Sequence, residues 1–178
     1  SDGIAYQISF NEGRKYIRVN GIRTEMPILN IPQKIEDINV EVVKKGAFMD
    51  DKSIEEVYIP ESVRLVGAEA FKNCASLRKV QLPARLETIN QSCFEGCESL
   101  NDIKLPDRLV RVCHNAFHNC TALTKVVIEN SEVSIAKDAF DKKVTIAHYT
   151  GALSFVKYSL GKAFGKNHHS VNNEKYIK

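Results

Sequence analysis

Cysteines and histidines near residue 115 are the side chains in this sequence whose types and spacing best suit metal chemistry. Cys113, His114, His118 and Cys120 lie close together in the chain, and thiolate and imidazole groups are the ligands that bind zinc in proteins. Cys120, however, belongs to a set of cysteines that recurs every 23 residues, and the histidines stand where other copies of the repeat hold Gln, Ala, Glu or Lys. We therefore interpret the histidines as surface variation and predict no metal site.

Paired carboxylates are the other candidate for chemistry. Glu55 and Glu56 are adjacent in the chain, as are Asp50 and Asp51, but glycosidase chemistry needs two carboxylates that face each other across a cleft. Adjacent carboxylates on a turn or strand are typical of a solvated surface. Neither a nucleophile, base and orienting group nor a Gly-rich phosphate loop can be composed from the sequence. We predict no catalytic residues and no cofactor.

A strict repeat positions all of these residues. Phenylalanine recurs every 23 positions, and a fixed period of about 20 to 50 residues is typical of stacked solenoid units. Three cysteines keep the same period, which predicts a buried column. Neighbouring coils would hold their Cβ atoms near ~4.8 Å rather than the ~3.8 Å of a disulfide, so we predict free thiols. The periodic residues are Phe48, Phe71, Phe94, Phe117 and Phe140, with Cys74, Cys97 and Cys120.

Each 23-residue unit predicts one coil with three sides. Two apolar residues that alternate with a polar one predict a short strand, and successive strands should pair in parallel. Proline then follows and ends the ladder, because it cannot donate a backbone hydrogen bond. A second apolar pair with three-residue spacing predicts a short extended or 3₁₀ side opposite the strand. One copy shows the pattern as Val80, Leu82, Pro83, Leu86 and Ile89.

The two ends depart from the pattern, as capping units of a solenoid do. Alternating residues around the turn at Asn11 to Gly13 predict an N-terminal β-hairpin cap in residues 1–34. The first unit has Asp37 in the proline position and Pro32 five residues earlier, which predicts an insertion. Residues 35–146 form about five coils, and residues 147–178 form a C-terminal cap. Helical spacing of apolar residues predicts a helix over residues 151–164, with a loose tail beyond it.

These motifs closely resemble the BspA-like class of leucine-rich repeats over roughly residues 35–146. The Pro, Phe, Cys and Leu positions all hold through three full copies; Gly67 also matches, whereas Asn90 and Cys113 depart from glycine at the equivalent position. The resemblance implies a leucine-rich repeat solenoid in one structural domain. It also implies a non-enzymatic bacterial cell-surface or secreted protein that recognises a protein or glycan, often in adhesion.

Composition and charge exclude some partners. With 178 residues, 43% hydrophobic and 26% charged, the sequence is typical of a globular domain. Residues 142–178 hold seven Lys against one Glu, which leaves the repeat body slightly acidic. Without clustered Arg and aromatic residues we predict no nucleic-acid partner, and without a run of about 18 apolar residues we predict no membrane span. The amino end shows neither an initiator Met nor a signal segment, so localisation rests on the resemblance. We expect a monomer.

The outward positions of the predicted strands vary from coil to coil, and this variation suggests a recognition surface. A mixed stripe of acidic, basic and aromatic side chains on a rigid sheet could bind a partner by charge complementarity, with Tyr58 as a central contact. The alternative is a merely soluble strand face on a structural spacer without a ligand. The candidate binding residues are Tyr58, Arg78, Lys79, Gln81, Asp102, Lys104 and Lys125.

Overall fold

A computed structural model describes residues 3–130, 132–149 and 155–159, and within them the chain coils into a solenoid of about six turns. The described residues contain strands and turns but no helix. The fifteen strands are β1 Ile4–Asn11, β2 Arg14–Ile22, β3 Ile28–Asn30, β4 Lys34–Ile35, β5 Ile38–Val43, β6 Glu56–Tyr58, β7 Leu65–Val66, β8 Lys79–Gln81, β9 Thr88–Ile89, β10 Asp102–Ile103, β11 Arg111–Val112, β12 Lys125–Ile128, β13 Ser134–Ile135, β14 Thr145–Tyr149 and β15 Phe155–Ser159.

One side of the solenoid is a parallel ladder with one rung per turn. β3, β6, β8 and β10 pair in that order, a bridge between Lys104 and Val127 continues the ladder to β12, and β12 pairs with β14. Val57 lies opposite Val80, and Val80 lies opposite Ile103. All three side chains are buried. The predicted parallel strands are therefore confirmed, because the alternation of apolar and polar residues turns the same positions inward in each turn.

The second side is a narrower set of parallel strands made from the second apolar pair of each unit. β7 pairs with the end of β5, and β11 pairs with β9 and β13. Val66, Ile89 and Val112 point inward and are buried. This wall is extended, which is one of the two conformations that the sequence predicts for it.

The third side carries the predicted column of phenylalanine rings. Neighbouring ring centroids are 4.9 to 5.5 Å apart, and the ring planes are within 13° of parallel. The three middle rings, Phe71, Phe94 and Phe117, are fully buried. One aromatic ring per turn thus stacks on the next and closes the core along its whole length.

Buried thiols run beside the rings. Cys74, Cys97 and Cys120 each donate a hydrogen bond of 3.1 Å to the backbone carbonyl of the phenylalanine one turn back. Burial raises the pKa of Cys74 and of Cys120 to about 12. Burial also raises the pKa of Cys93 and of Cys97. All five cysteines are free, among them the three periodic ones for which the sequence predicts free thiols.

The corners beside this column repeat a backbone feature that the periodicity of apolar residues does not reveal. Two residues per turn, four positions apart, have positive φ. Glycine, asparagine and aspartate tolerate this conformation best. Only these three residue types fill the second position in the four copies, whereas the first position also holds Glu and Ser. The second set is Asp50, Asn73, Gly96 and Asn119, and the first is Gly46, Glu69, Ser92 and Asn115.

Residue 67 is a glycine because the backbone of the first turn passes very close to it. A Cβ at Gly67 would lie 2.4 Å from the backbone N of Lys45 and 2.7 Å from the carbonyl carbon of Lys44. We expect Gly67→Ala to lower the free energy of unfolding by about 1 to 3 kcal/mol, the usual cost of overpacking. Urea denaturation measures this loss. Cys113→Ala is the matched control: it occupies the equivalent position two turns later, already carries a Cβ, and should change stability far less.

The predicted insertion in the first unit is present. Pro32 occupies the corner that Pro60 occupies one turn later, because the N–H of Ile31 reaches the carbonyl of Tyr58 just as the N–H of Ile59 reaches that of Gln81. The extra residues fold into β4, which pairs antiparallel with the start of β5. The insertion therefore leaves the register of the ladder intact.

The N-terminal hairpin is also confirmed. β1 and β2 pair antiparallel along their length. β2 then pairs parallel with β5, which places Ile17 opposite Val40 and Val19 opposite Val43. Ile17 and Val19 are fully buried. The hairpin thus covers the apolar end of the solenoid.

The predicted C-terminal helix is wrong where the structure describes it. Phe155–Ser159 forms strand β15, which pairs antiparallel with β14. Phe, Val and Tyr favour strands, and β15 satisfies backbone groups on the edge of β14 that a helix would leave unpaired. The remainder of the predicted helix and the tail lie outside the described residues.

Candidate recognition surface on the strand face

The candidate binding residues lie on the outward side of the parallel ladder, which we call the strand face. The register of the strands arranges all of them except Arg78, which precedes β8, in two neighbouring columns. Glu56, Lys79 and Asp102 are paired positions in one column, and Tyr58 and Gln81 are paired positions in the other. Lys104 continues the second column and lies opposite Val127. Adjacent positions in such a column are about 4.8 Å apart, so neighbouring side chains can interact.

Glu56 is the centre of a charged network on this face. Its carboxylate accepts a hydrogen bond of 2.7 Å from the hydroxyl of Tyr58 and pairs with Nη2 of Arg78 at 2.5 Å. Lys79 donates a hydrogen bond of 3.1 Å to the Tyr58 hydroxyl, and its Nζ lies 5.2 Å from the centroid of the tyrosine ring. Glu56 therefore brings together three of the candidate residues. It is itself an outward residue of the strand, but the predicted binding set omits it.

The protonation of this network follows from its contacts. The hydrogen bond from Tyr58, supported by the positive charges of Arg78 and Lys79, lowers the pKa of Glu56 against the opposing effect of desolvation. The hydrogen bond with Tyr58, together with the charge of Glu56, raises the pKa of Lys79. Both groups therefore stay charged at neutral pH. The network holds Tyr58 in one orientation while about half of the Arg78 and Lys79 side-chain surface stays exposed.

Of the remaining candidates, Gln81 lies on the same strand as Lys79, and Asp102, Lys104 and Lys125 belong to later turns of the face. Lys104 is 79% exposed and lies 3.6 Å from Glu129. Gln81 and Lys125 are exposed. Asp102 is placed by its strand, while its side chain lies outside the described part of the structure. Tyr58, Arg78 and Lys79 thus form one cluster across the second and third rungs, and the other candidates follow along the same face.

A shallow groove follows the edge of the strand face toward the proline corners. It has a volume of about 390 Å³. Lys79, Gln81 and Lys104 lie on its strand side, and the buried Leu82 and Leu105 form part of its lining. Glu61 and Asp107 also line the groove, so its charges balance, and its shallow shape suits an extended segment better than a small enclosed ligand.

The cysteines and histidines near residue 115 do not converge on one point. His114 faces Asp138 at 2.7 Å, and His118 faces Asp141 at 3.0 Å. Cys120 points inward to the Phe94 carbonyl. Within the described residues, no three His, Cys, Asp or Glu side chains are arranged to hold a metal ion.

The described residues also contain no helix that is long and apolar enough to cross a membrane.

A known protein family has the same repeat. Six copies of the family described as BspA type leucine rich repeat region match residues 41–167. The matched span covers the phenylalanine column from Phe48 to Phe140 and both strand walls. No curated protein matches the sequence significantly.

Solved structures of bacterial leucine-rich repeat proteins share the fold. A protein from Bacteroides ovatus matches with a TM-score of 0.70 and 27% identity over 82% of this chain and 39% of its own. A leucine rich cell surface protein from Faecalibacterium prausnitzii gives 0.71 and 28%, over 84% and 38%. The leucine rich repeat protein of T. pallidum gives 0.72 and 26%, over 79% and 67%. The chain spans about two fifths of the length of the first two proteins.

Proposed function

Because the chain belongs to the BspA-type leucine-rich repeat family, we propose that it is a non-enzymatic recognition module whose strand face binds a protein partner. One observation carries this proposal. Inward positions of the ladder keep Val, Ile or Leu in successive turns, while the outward positions change charge and size from turn to turn. A rigid sheet with variable outward side chains suits specific recognition, since its backbone loses little conformational freedom on binding.

The chemistry of the strand face favours a protein over a glycan. Sugar recognition commonly uses several open aromatic rings, but Tyr58 is the one aromatic residue among the candidates, and its hydroxyl already contacts Glu56 and Lys79. Arg78 and Lys79 keep exposed charge beside Gln81 and Lys104. These residues suit carboxylate groups on a partner protein, because complementary charges speed association and align the two surfaces.

We also propose that the chain acts at the cell surface or in secreted form, and that its recognition serves adhesion or contact with a host. Support comes from the family and from the similarity to a protein described as a leucine rich cell surface protein. This function does not depend on the wider activity of those longer proteins. It requires a protein partner with an acidic surface.

Charge reversal tests the proposal. We expect the double variant Arg78→Glu/Lys79→Glu to weaken binding of a captured partner by about tenfold to a hundredfold, because the loss of both charge contacts together costs about 1.4 to 2.7 kcal/mol. Partners are captured on immobilised protein from bacterial lysate and from host matrix extract. Their affinity is then measured by surface plasmon resonance at two salt concentrations.

The control is Arg108→Glu/Arg111→Glu, which makes the same change of charge at exposed positions outside the strand face. We expect this variant to bind as the unchanged protein does. Equal loss in both double variants would reduce the effect to net charge and overturn the strand face as the site. A spacer without a ligand, the alternative function, would retain no protein whose binding responds to either variant.

A further inference from the structure

The outer edge of the N-terminal sheet is a second surface built for contact. Among the described residues β1 pairs with β2 alone, so one row of its backbone N–H and C=O groups has no neighbouring strand. Ile8 and Phe10 on this strand are 39% and 66% exposed. An edge strand with unpaired backbone groups and exposed apolar side chains is a template for pairing with another strand.

β1 differs from the other sheet edges in length and in charge. Every other strand at the end of a described sheet has five residues or fewer, whereas β1 has eight. The sequence of β1 contains no Asp, Glu, Lys, Arg or Pro. Short strands, charges and prolines are the features by which proteins block unwanted edge pairing. β1 has none of them.

We propose that β1 pairs antiparallel with β1 of a second copy of this chain and forms a twofold symmetric dimer. A twofold axis places each strand against itself in reverse, so any charge on it would face a like charge or a mismatched neighbour. An uncharged strand avoids this repulsion. The proposed dimer replaces the monomer that the sequence leads us to expect.

The side chains of β1 also define the register of the pair. Tyr6, Ile8 and Phe10 share one face of the strand because side chains alternate, and they continue the face on which β2 presents the buried Ile17. A twofold axis through Ile8 puts Ile8 opposite Ile8 of the second copy and Tyr6 opposite Phe10. Aromatic pairs and pairs of β-branched residues are favourable cross-strand neighbours.

This arrangement closes the assembly at two chains. The sheet would run through β5, β2 and β1 of one copy into β1, β2 and β5 of the other, and the two free edges would be consumed. β1 belongs to a different sheet from the strand face. The candidate binding residues are therefore not part of the proposed contact, and this inference stands independently of the proposed function.

Sedimentation equilibrium over a wide range of protein concentration tests the dimer. We expect a monomer–dimer equilibrium for the unchanged chain and a dissociation constant raised by about tenfold or more for Ile8→Lys, because the axis places the two new charges opposite each other. Val110→Lys is the control, since Val110 is 50% exposed at another surface. A monomer at every concentration, or a dimer that Ile8→Lys leaves unchanged, would overturn the proposal.

Disulfide trapping tests the register and does not depend on the strength of the dimer. The variants are made with Cys113→Ser, because Cys113 is the one native cysteine that is not buried. We expect Ile8→Cys to form covalent dimers readily under mild oxidation and Phe10→Cys to form few, since position 10 faces position 6. The pair Tyr6→Cys/Phe10→Cys should restore trapping. Val110→Cys, at an exposed position on another surface, is the control, and equal trapping at positions 8, 10 and 110 would contradict the proposed pairing.

Discussion

Phe94→Ala should lower the free energy of unfolding by about 3 to 5 kcal/mol, the usual cost of removing a large aromatic side chain from a core. Phe94 is fully buried and stacks on the rings of both Phe71 and Phe117, at 5.5 and 5.3 Å. Its loss leaves a cavity in the middle of the column and removes two stacking contacts. The midpoint and slope of urea denaturation, followed by circular dichroism, measure the change.

Phe140→Ala is the matched control for the column. Phe140 is nearly as buried, but its stacking contact within the column is with Phe117 alone. We expect a smaller loss at this end of the column than at Phe94, because among the described residues only one ring stacks on Phe140. An unmoved denaturation midpoint for Phe94→Ala, or equal losses at both positions, would argue against a cooperative column of rings.

Alkaline pH should destabilise the fold through the buried thiols. Burial raises the pKa of Cys74, Cys93, Cys97 and Cys120 above the ordinary value of 9.0. The unfolded chain therefore loses these protons at a lower pH than the folded chain. Stability from the neutral thiols is complete below pH 9.0 and is lost as the pH rises toward the folded pKa. Each thiol should cost about 1.4 kcal/mol per pH unit in that window.

A comparison of variants isolates this effect from the titration of lysine and tyrosine. Urea denaturation at about pH 8 and about pH 10 gives the pH-dependent loss for each protein. We expect Cys97→Ala to lose about 1.4 kcal/mol less than the unchanged chain between these conditions, even though it is less stable at both. Leu100→Ala also removes a fully buried side chain and should keep the full pH dependence. Equal pH dependence in all three proteins would contradict the buried, neutral state of the thiols.

Much of the fold could be predicted from the sequence because each position of the repeat can be compared with the equivalent position in the other copies. The 23-residue spacing identifies the phenylalanine column, and the proline that follows each strand identifies the corner. The positive φ values at Glu69 and Ser92 are harder to predict, since these residue types tolerate that conformation less well than Gly, Asn or Asp. Backbone conformation at these corners follows from ring stacking and ladder register more than from local residue type.

The C-terminal cap shows where local patterns fail. Leu153, Val156 and Leu160 have helical spacing, but the segment from Phe155 also has the residue types of a strand. Helical spacing over such a short segment does not decide between the two. The unpaired edge of β14 favours the strand, and this edge exists only once the solenoid has formed.

The strand face was predictable at the level of position but not of pairing. Alternation places Tyr58 and Lys79 outward, and Arg78, just before β8, is exposed beside them. The role of Glu56 as their shared partner depends on strand register and on side-chain conformations. Glu56 and Lys79 carry opposite charges at the same position of adjacent turns. This pairing is the sequence signal that could have identified the role of Glu56.

Site-specific photo-crosslinking tests most directly whether the strand face is the binding surface. A photoreactive amino acid replaces the exposed Gln81 on the strand face in one protein and the exposed Val110 in another. With a captured partner present, we predict a covalent complex from position 81 and none from position 110. A complex from position 110 alone, or equal yields from both positions, would contradict recognition through the strand face.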